Sequence, residues 1–190
     1  GSLGKDFMMP RLPTRRELRL GSGLVMLGYM ALHMLNHALG LVSLDVAERS
    51  LALAVRAWHS LAGSGLLYGA AMIHIALAFQ LLYERPSLRL PAIEVVRIVA
   101  GFSIPVLLLN HFTSTRVAFE LYDAAPRYSR IVGAIWASNG EARQLALLAP
   151  GWVHGCLGIH LAFGQRGWYR QWRPFLLLVA VLLPFFAGAG

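Results

Sequence analysis

Five long apolar runs decide what this chain can become. Residues 20–42, 59–83, 95–122 and 145–163 each come close to or exceed the roughly 20 residues that carry a helix across a bilayer. A fifth run, 175–190, holds no histidine and no charged residue. A backbone in hydrocarbon has no water to bond, so such runs satisfy themselves as helices. With 57% of its 190 residues hydrophobic and 14% charged, the chain falls outside the soluble class. The expected fold is all-α: a membrane helical bundle of five transmembrane helices around a four-helix core, with a sixth helix in the full protein.

A net charge of +8 would suggest nucleic acid for a soluble protein. Here it reads as topology instead, and no nucleic-acid partner is expected. Lys5, Arg11, Arg15, Arg16, Arg19, Arg85, Arg89, Arg97, Arg166, Arg170 and Arg173 flank one side of the spans; Arg49, Arg56, Arg116, Arg127, Arg130 and Arg143 flank the other. The richer side is cytoplasmic by the positive-inside tendency, which puts the N-terminus there. No cleavable leader is visible. Residues ahead of Met8 read as a cloning remnant, so 1–19 is remnant and basic N-terminus, and 20–190 is the membrane domain. Its apolar end at Gly190 reads as a domain cut from a longer protein.

The first four runs each contain a histidine far from either end: His33, His74, His111 and His154. An imidazole at that depth has no water, and ionisable groups inside membrane segments face a pocket or a partner. A lone buried histidine is commonly a hydrogen-bonded packing residue, but four on successive spans are explained together by one ligand that takes imidazoles, namely haem. Zinc and copper want tight sets of His, Cys and carboxylates. Retinal needs a lysine within a span, whereas Lys5 is the sole lysine, and the carboxylates a proton path would need, Glu94 and Glu120, lie only at span ends. The single Cys156 and the absence of C-x-x-C-H exclude covalent attachment, so the haems are b-type.

Spacing predicts two haems rather than one. Arg19 to His33 and Arg97 to His111 are each fourteen residues, about 21 Å of helix. Spans one and three run parallel and can lie diagonally across a bundle, so His33 and His111 reach one level. Counting from the inner flanks, Glu84 to His74 is ten residues and Arg166 to His154 twelve, roughly 15 to 18 Å. That places a second pair lower. His37 is the rival to His33, and His160 the rival to His154. Ala70, Ala71 and Ala78 around His74, and Gly151, Gly155 and Gly158 around His154, read equally as faces cleared for a flat ligand and as close helix contacts. Between the spans, 42–57 reads as a polar, mildly helical outer loop and 131–137 as a short interfacial helix. Residues 165–173 read as a basic, aromatic inner loop, and Pro105 marks a local kink.

Arg15-Arg16 before a span with His33-Met34, Met72-Ile73-His74, Arg97 fourteen residues ahead of His111 with Thr115-Arg116 after it, and Val153-His154 followed by Gly158 together resemble the dihaem cytochrome b anchors of succinate dehydrogenases and fumarate reductases. The resemblance implies axial pairs His33 with His111 and His74 with His154, and quinone chemistry near a bundle end. The string Leu35-Asn36-His37-Ala38-Leu39-Gly40-Leu41 is similar to six-span anchors fused to bacterial class III adenylate cyclases. That likeness implies a redox sensor in the bacterial inner membrane. In such a sensor the quinone/quinol pool sets the haem state and thereby controls an attached cytoplasmic cyclase. The alternative is a respiratory anchor passing electrons to flavin and iron-sulfur subunits. Either way no catalytic domain lies in this chain; lipid, quinone and a second copy are the other expected partners. For the quinone, His37, His59, Arg116 and Glu120 lie toward the outer end, where imidazole or guanidinium could bond a carbonyl and a carboxylate take the proton.

Overall fold

The computed structural model describes residues 11–190 and is helical nearly throughout. The expected remnant ahead of Met8 lies outside the described residues. The elements are α1 (Arg15–Ala38), α2 (Leu44–Trp58), α3 (Leu61–Tyr83), α4 (Ala92–Phe112), a π-helical turn (Thr113–Val117), α5 (Ala118–Tyr122), α6 (Tyr128–Ala137), α7 (Glu141–Phe163) and α8 (Gly167–Ala189). Five helical stretches are long and apolar enough to cross a membrane, as expected: Arg15–Leu41, Leu61–Tyr83, Ala92–Tyr122, Glu141–Phe163 and Gly167–Ala189.

Local chemistry places the helix ends. Thr14 and Glu17 form a reciprocal capping box, with Glu17 N–H donating to Thr14 Oγ1 (3.2 Å) and Thr14 N–H to Glu17 Oε2 (2.7 Å). Ser43 and Ser60 cap α2 and α3 through the N–H groups of Val46 and Gly63. The mildly helical outer loop is a full helix, and the inner loop is shorter than expected. Residues 42–57 mostly form α2, and the basic, aromatic stretch 165–173 largely becomes the first two turns of α8, because Trp and Arg side chains can lie along a helix as readily as along a loop.

Prolines within the helices are accommodated rather than disruptive. Pro184 has no N–H to give Ala180, four residues back, and that carbonyl accepts the Trp152 indole N–H at 2.8 Å instead. This bond fastens α8 to α7. At the end of α4 the π-helical turn loosens the ladder, and the hydroxyls of Ser114 (3.2 Å) and Thr115 (2.7 Å) both donate to the His111 carbonyl.

The core is two antiparallel pairs face to face: α1 packs along α3, and α4 along α7. The pairs meet where α1 crosses α7. There Met30 and Leu27 seat on Gly151 and Gly155, and an added Cβ would stand 3.0 Å and 2.5 Å from them. The glycines flanking His154 thus admit a helix, whereas Gly158 faces open space. α8 covers the outside of α1 and α7.

Above the His33 end, α2 and α6 form a cap. The Glu48 carboxylate accepts from Tyr128 N–H (2.8 Å), Ser129 N–H (3.0 Å) and Ser129 Oγ (2.8 Å), so a side chain of α2 caps α6. Tyr128, 1% exposed, donates its hydroxyl to the His37 carbonyl at 3.1 Å. Bonds from the Ser129 and Tyr128 backbone hold the Glu48 carboxyl below its usual pKa, against a smaller opposing effect of burial. A folded-state value below the unfolded one contributes stability that is present above the unfolded value and lost as pH falls through the folded value. Glu48→Gln is therefore expected to lower the thermal midpoint at pH 7, with the difference from wild type narrowing below about pH 4. A difference unchanged down to pH 3 in thermal unfolding would contradict this role.

Candidate functional site

The lower pair of histidines is set by helix backbone. His74 Nδ1 lies 3.0 Å from the Arg19 carbonyl, and His154 Nδ1 lies 2.8 Å from the Arg97 carbonyl. A carbonyl only accepts, so Nδ1 carries the proton in both rings and Nε2 is left as a bare lone pair. The approach is possible because glycine follows each arginine four residues on. An added Cβ at Gly23 would stand 3.0 Å from His74 Cε1, and one at Gly101 would stand 2.6 Å from His154 Cε1 and Nδ1. The two rings face each other with centroids 6.0 Å apart and planes at 84°. The face cleared for each histidine thus belongs to the partner helix, not to the His74 or His154 helix itself.

The upper pair sits ten residues further along α1 and α4, about 15 Å of helix. His33 and His111 have centroids 5.8 Å apart and planes at 78°. Tyr29 stacks on His33 at 6.0 Å, His37 meets it edge-on at 4.9 Å, and Tyr128 lies 5.6 Å from His37. His33 is thus the first-helix histidine opposite His111, with His37 wedged behind it under the cap. His160 lies apart from both pairs, its Nδ1 3.2 Å from Tyr169 Oη beside the α7–α8 turn.

Each facing pair spans helices that do not pack along one another: α1 with α4, and α3 with α7. The slot between the layers is bridged on its α3/α4 side by Phe79 with Phe102 (4.9 Å), Tyr68 with Phe112 (6.2 Å) and the Arg85–Glu94 ion pair (2.9 Å). Arg97 Nε is buried without a hydrogen-bond partner among the described residues. With Arg19 nearby, it makes the lower end of the slot attractive to carboxylates.

Three of the four expected quinone residues come together at the upper end. Arg116, in the π-helical turn, bonds Ser64 Oγ (3.0 Å), the Trp58 carbonyl (3.5 Å) and Glu120 (2.9 Å), and its guanidinium lies 5.7 Å from the Tyr68 ring centre. His59 packs edge-on to Phe119 at 4.7 Å, and its Nδ1 is buried without a partner among the described residues. Burial, then the Arg116 charge, lowers the His59 pKa, with Glu120 opposing, so the ring is neutral at pH 7. His37 is not part of this cluster. A surface basin of about 800 Å³ beside residues 122–130 has no histidine in its lining.

Comparison of the chain with known protein families, with curated proteins and with solved structures finds no match. Among the described residues no group of three or more His, Cys, Asp or Glu side chains is placed to share a metal ion. His74 and His154 form a couple, and His33 meets both His111 and His37. Sequence reasoning missed Gly23 and Gly101. Their signal was present, because Arg, then Gly four residues on, then His ten further on occurs at Arg19-Gly23-His33 and again at Arg97-Gly101-His111.

Helical glycine to alanine ordinarily gains up to about 1 kcal/mol, and Gly28, with nothing within 4 Å of its added Cβ, should show that gain. Gly101→Ala should instead cost about 1 to 3 kcal/mol by overpacking against His154, and more than Gly23→Ala. Thermal unfolding of the three variants in one detergent checks the order.

Proposed function

We propose that this chain is a membrane-embedded dihaem b cytochrome domain. In this reading His33 and His111 hold one iron and His74 and His154 the other, and the domain exchanges electrons with the quinone/quinol pool. The observation that carries it is the pairing: two facing imidazole couples, at 5.8 Å and 6.0 Å between centroids, at two levels of a slot between helices that do not otherwise pack. Two metal–nitrogen bonds of about 2 Å, with roughly 1 Å from nitrogen to ring centre on each side, put coaxial imidazoles about 6 Å apart. Two imidazoles leave a metal's remaining positions to a ligand that brings its own donors, which suits a porphyrin better than a bare ion.

When bound, the haem irons supply one-electron chemistry at potentials set by ligation and burial. The chain's own residues orient and insulate. The Arg19 and Arg97 carbonyls fix the lower rings and raise the basicity of Nε2, Arg19 and Arg97 offer cations to porphyrin carboxylates, and the aromatic bridges of α3 and α4 exclude water. At the upper end Arg116 and neutral His59 can bond a quinone carbonyl while Glu120 holds or releases the accompanying proton. The arginine distribution supports a cytoplasmic N-terminus in a bacterial inner membrane. The string 35–41 supports the role of redox sensor for an attached class III adenylate cyclase. Flavin and iron-sulfur subunits co-purifying with the full protein would replace the cyclase part with a respiratory anchor.

Purified protein should show a Soret band with two haems per chain. His74→Ala or His154→Ala should each lose one haem and keep the other, and His37→Ala should keep both; a colourless preparation overturns the reading. Arg116→Gln should slow reduction by added quinol about tenfold or more without changing reduction by dithionite. An unchanged quinol rate moves the quinone site elsewhere.

A further inference from the structure

The turn joining α7 to α8 borders a half-open cavity of about 320 Å³, lined by His160, Gly164, Tyr169, Arg170 and Arg173 among others. Neither the histidine pairs nor the Arg116 cluster touches it. Its walls are cationic and uncompensated: Arg170 and Arg173 form no ion pair among the described residues. Tyr169 is 7% exposed, and its hydroxyl is anchored to His160 Nδ1. That bond holds the phenol ring in the cavity wall. Two guanidiniums and a buried hydroxyl make a receptor for a phosphate oxyanion.

The surroundings say where that phosphate comes from. Trp168, Trp172 and Phe175 project outward from the same turns, about half exposed, and half-exposed Leu161 continues the apolar surface along α7. An aromatic girdle of this kind marks headgroup depth, and a basic pocket between helices there suits an anionic headgroup. The geometry points to a binding site at the α7–α8 turn for the phosphate of an anionic glycerophospholipid, held by Arg170, Arg173 and Tyr169, with the acyl chains running down the apolar face beyond Leu161. The site is independent of the haem reading.

The test titrates the purified chain, in uncharged detergent, with phosphatidylglycerol, phosphatidylcholine or inorganic phosphate, reading the thermal midpoint and the lipid retained in native mass spectrometry. Phosphatidylglycerol should raise the midpoint and leave one lipid per chain, while the other two should do neither. Arg170→Gln with Arg173→Gln should weaken that binding roughly tenfold or more, and Tyr169→Phe should weaken it with the ring retained. Arg16→Gln with Arg89→Gln, which removes equal charge at the same end of the bundle, should leave binding intact. Equal loss in that control would show diffuse charge attraction. An equal response to inorganic phosphate would show a free-anion site, and no response to phosphatidylglycerol would show no site; each overturns the proposal. The midpoint of each variant without lipid separates lost binding from lost folding.

Discussion

The lower half of this bundle depends on an imidazole bonding a helix carbonyl that is already in use. A buried polar group without a partner costs several kcal/mol in hydrocarbon, and His74 and His154 have no water to turn to. A carbonyl oxygen has two lone pairs. The Arg19 and Arg97 carbonyls sit one turn ahead of glycines that leave room for the rings, so each can take the Nδ1–H as well as its helical partner, and the Arg19 carbonyl accepts the Ser22 hydroxyl besides (3.0 Å). That one bond fixes tautomer and ring orientation and sets how closely α3 approaches α1 and α7 approaches α4. With Nδ1 of each ring tethered to its own layer, Nε2 is the nitrogen left free, and the two rings stand 6.0 Å apart between centroids.

The two layers are built alike. Arg19, Gly23 and His33 stand 78 residues before Arg97, Gly101 and His111, and in each half a histidine of the following span docks on the glycine. The likeness ends at the upper level. α1 leads through a short 3-10 turn (Leu39–Leu41) into α2, while α4 runs into a π-helical turn carrying Arg116. The lower ends are therefore near-equivalent, and the upper ends differ in backbone and in charge.

Much of this was legible in the chain. Apolar length gave five spans to within a few residues at most ends, and the repeated fourteen-residue interval gave a shared level for His33 and His111. The small residues around a histidine on its own helix left ligand clearance and helix contact undecided, because side chains at three and four residues' distance report the helix's own surface, whereas a ring needs room on the helix it meets. Gly151 and Gly155 are occupied by Met30 and Leu27 for that reason. The α8 boundary was missed because arginines and tryptophans at a membrane interface have no preference between loop and helix strong enough to show in composition. The π-helical turn was hidden as well, since hydroxyl bonds to the His111 carbonyl depend on three-dimensional register rather than on residue type.

The difference between the two ends also explains where polar chemistry gathers. Regular helix in lipid consumes its own donors and acceptors and leaves little for a ligand. Departures from it are tolerated only where side chains or neighbouring helices take up the freed groups. At the upper end the break between α2 and α3 exposes the Trp58 carbonyl and the π-helical turn swings Arg116 onto it, with Ser64 and Glu120 completing the set. In the same region His59 Nδ1 is buried with no partner among the described residues. A polar molecule arriving from the membrane finds unused hydrogen-bonding capacity there, whereas in the lower pair the backbone already satisfies Nδ1 and leaves one nitrogen per ring.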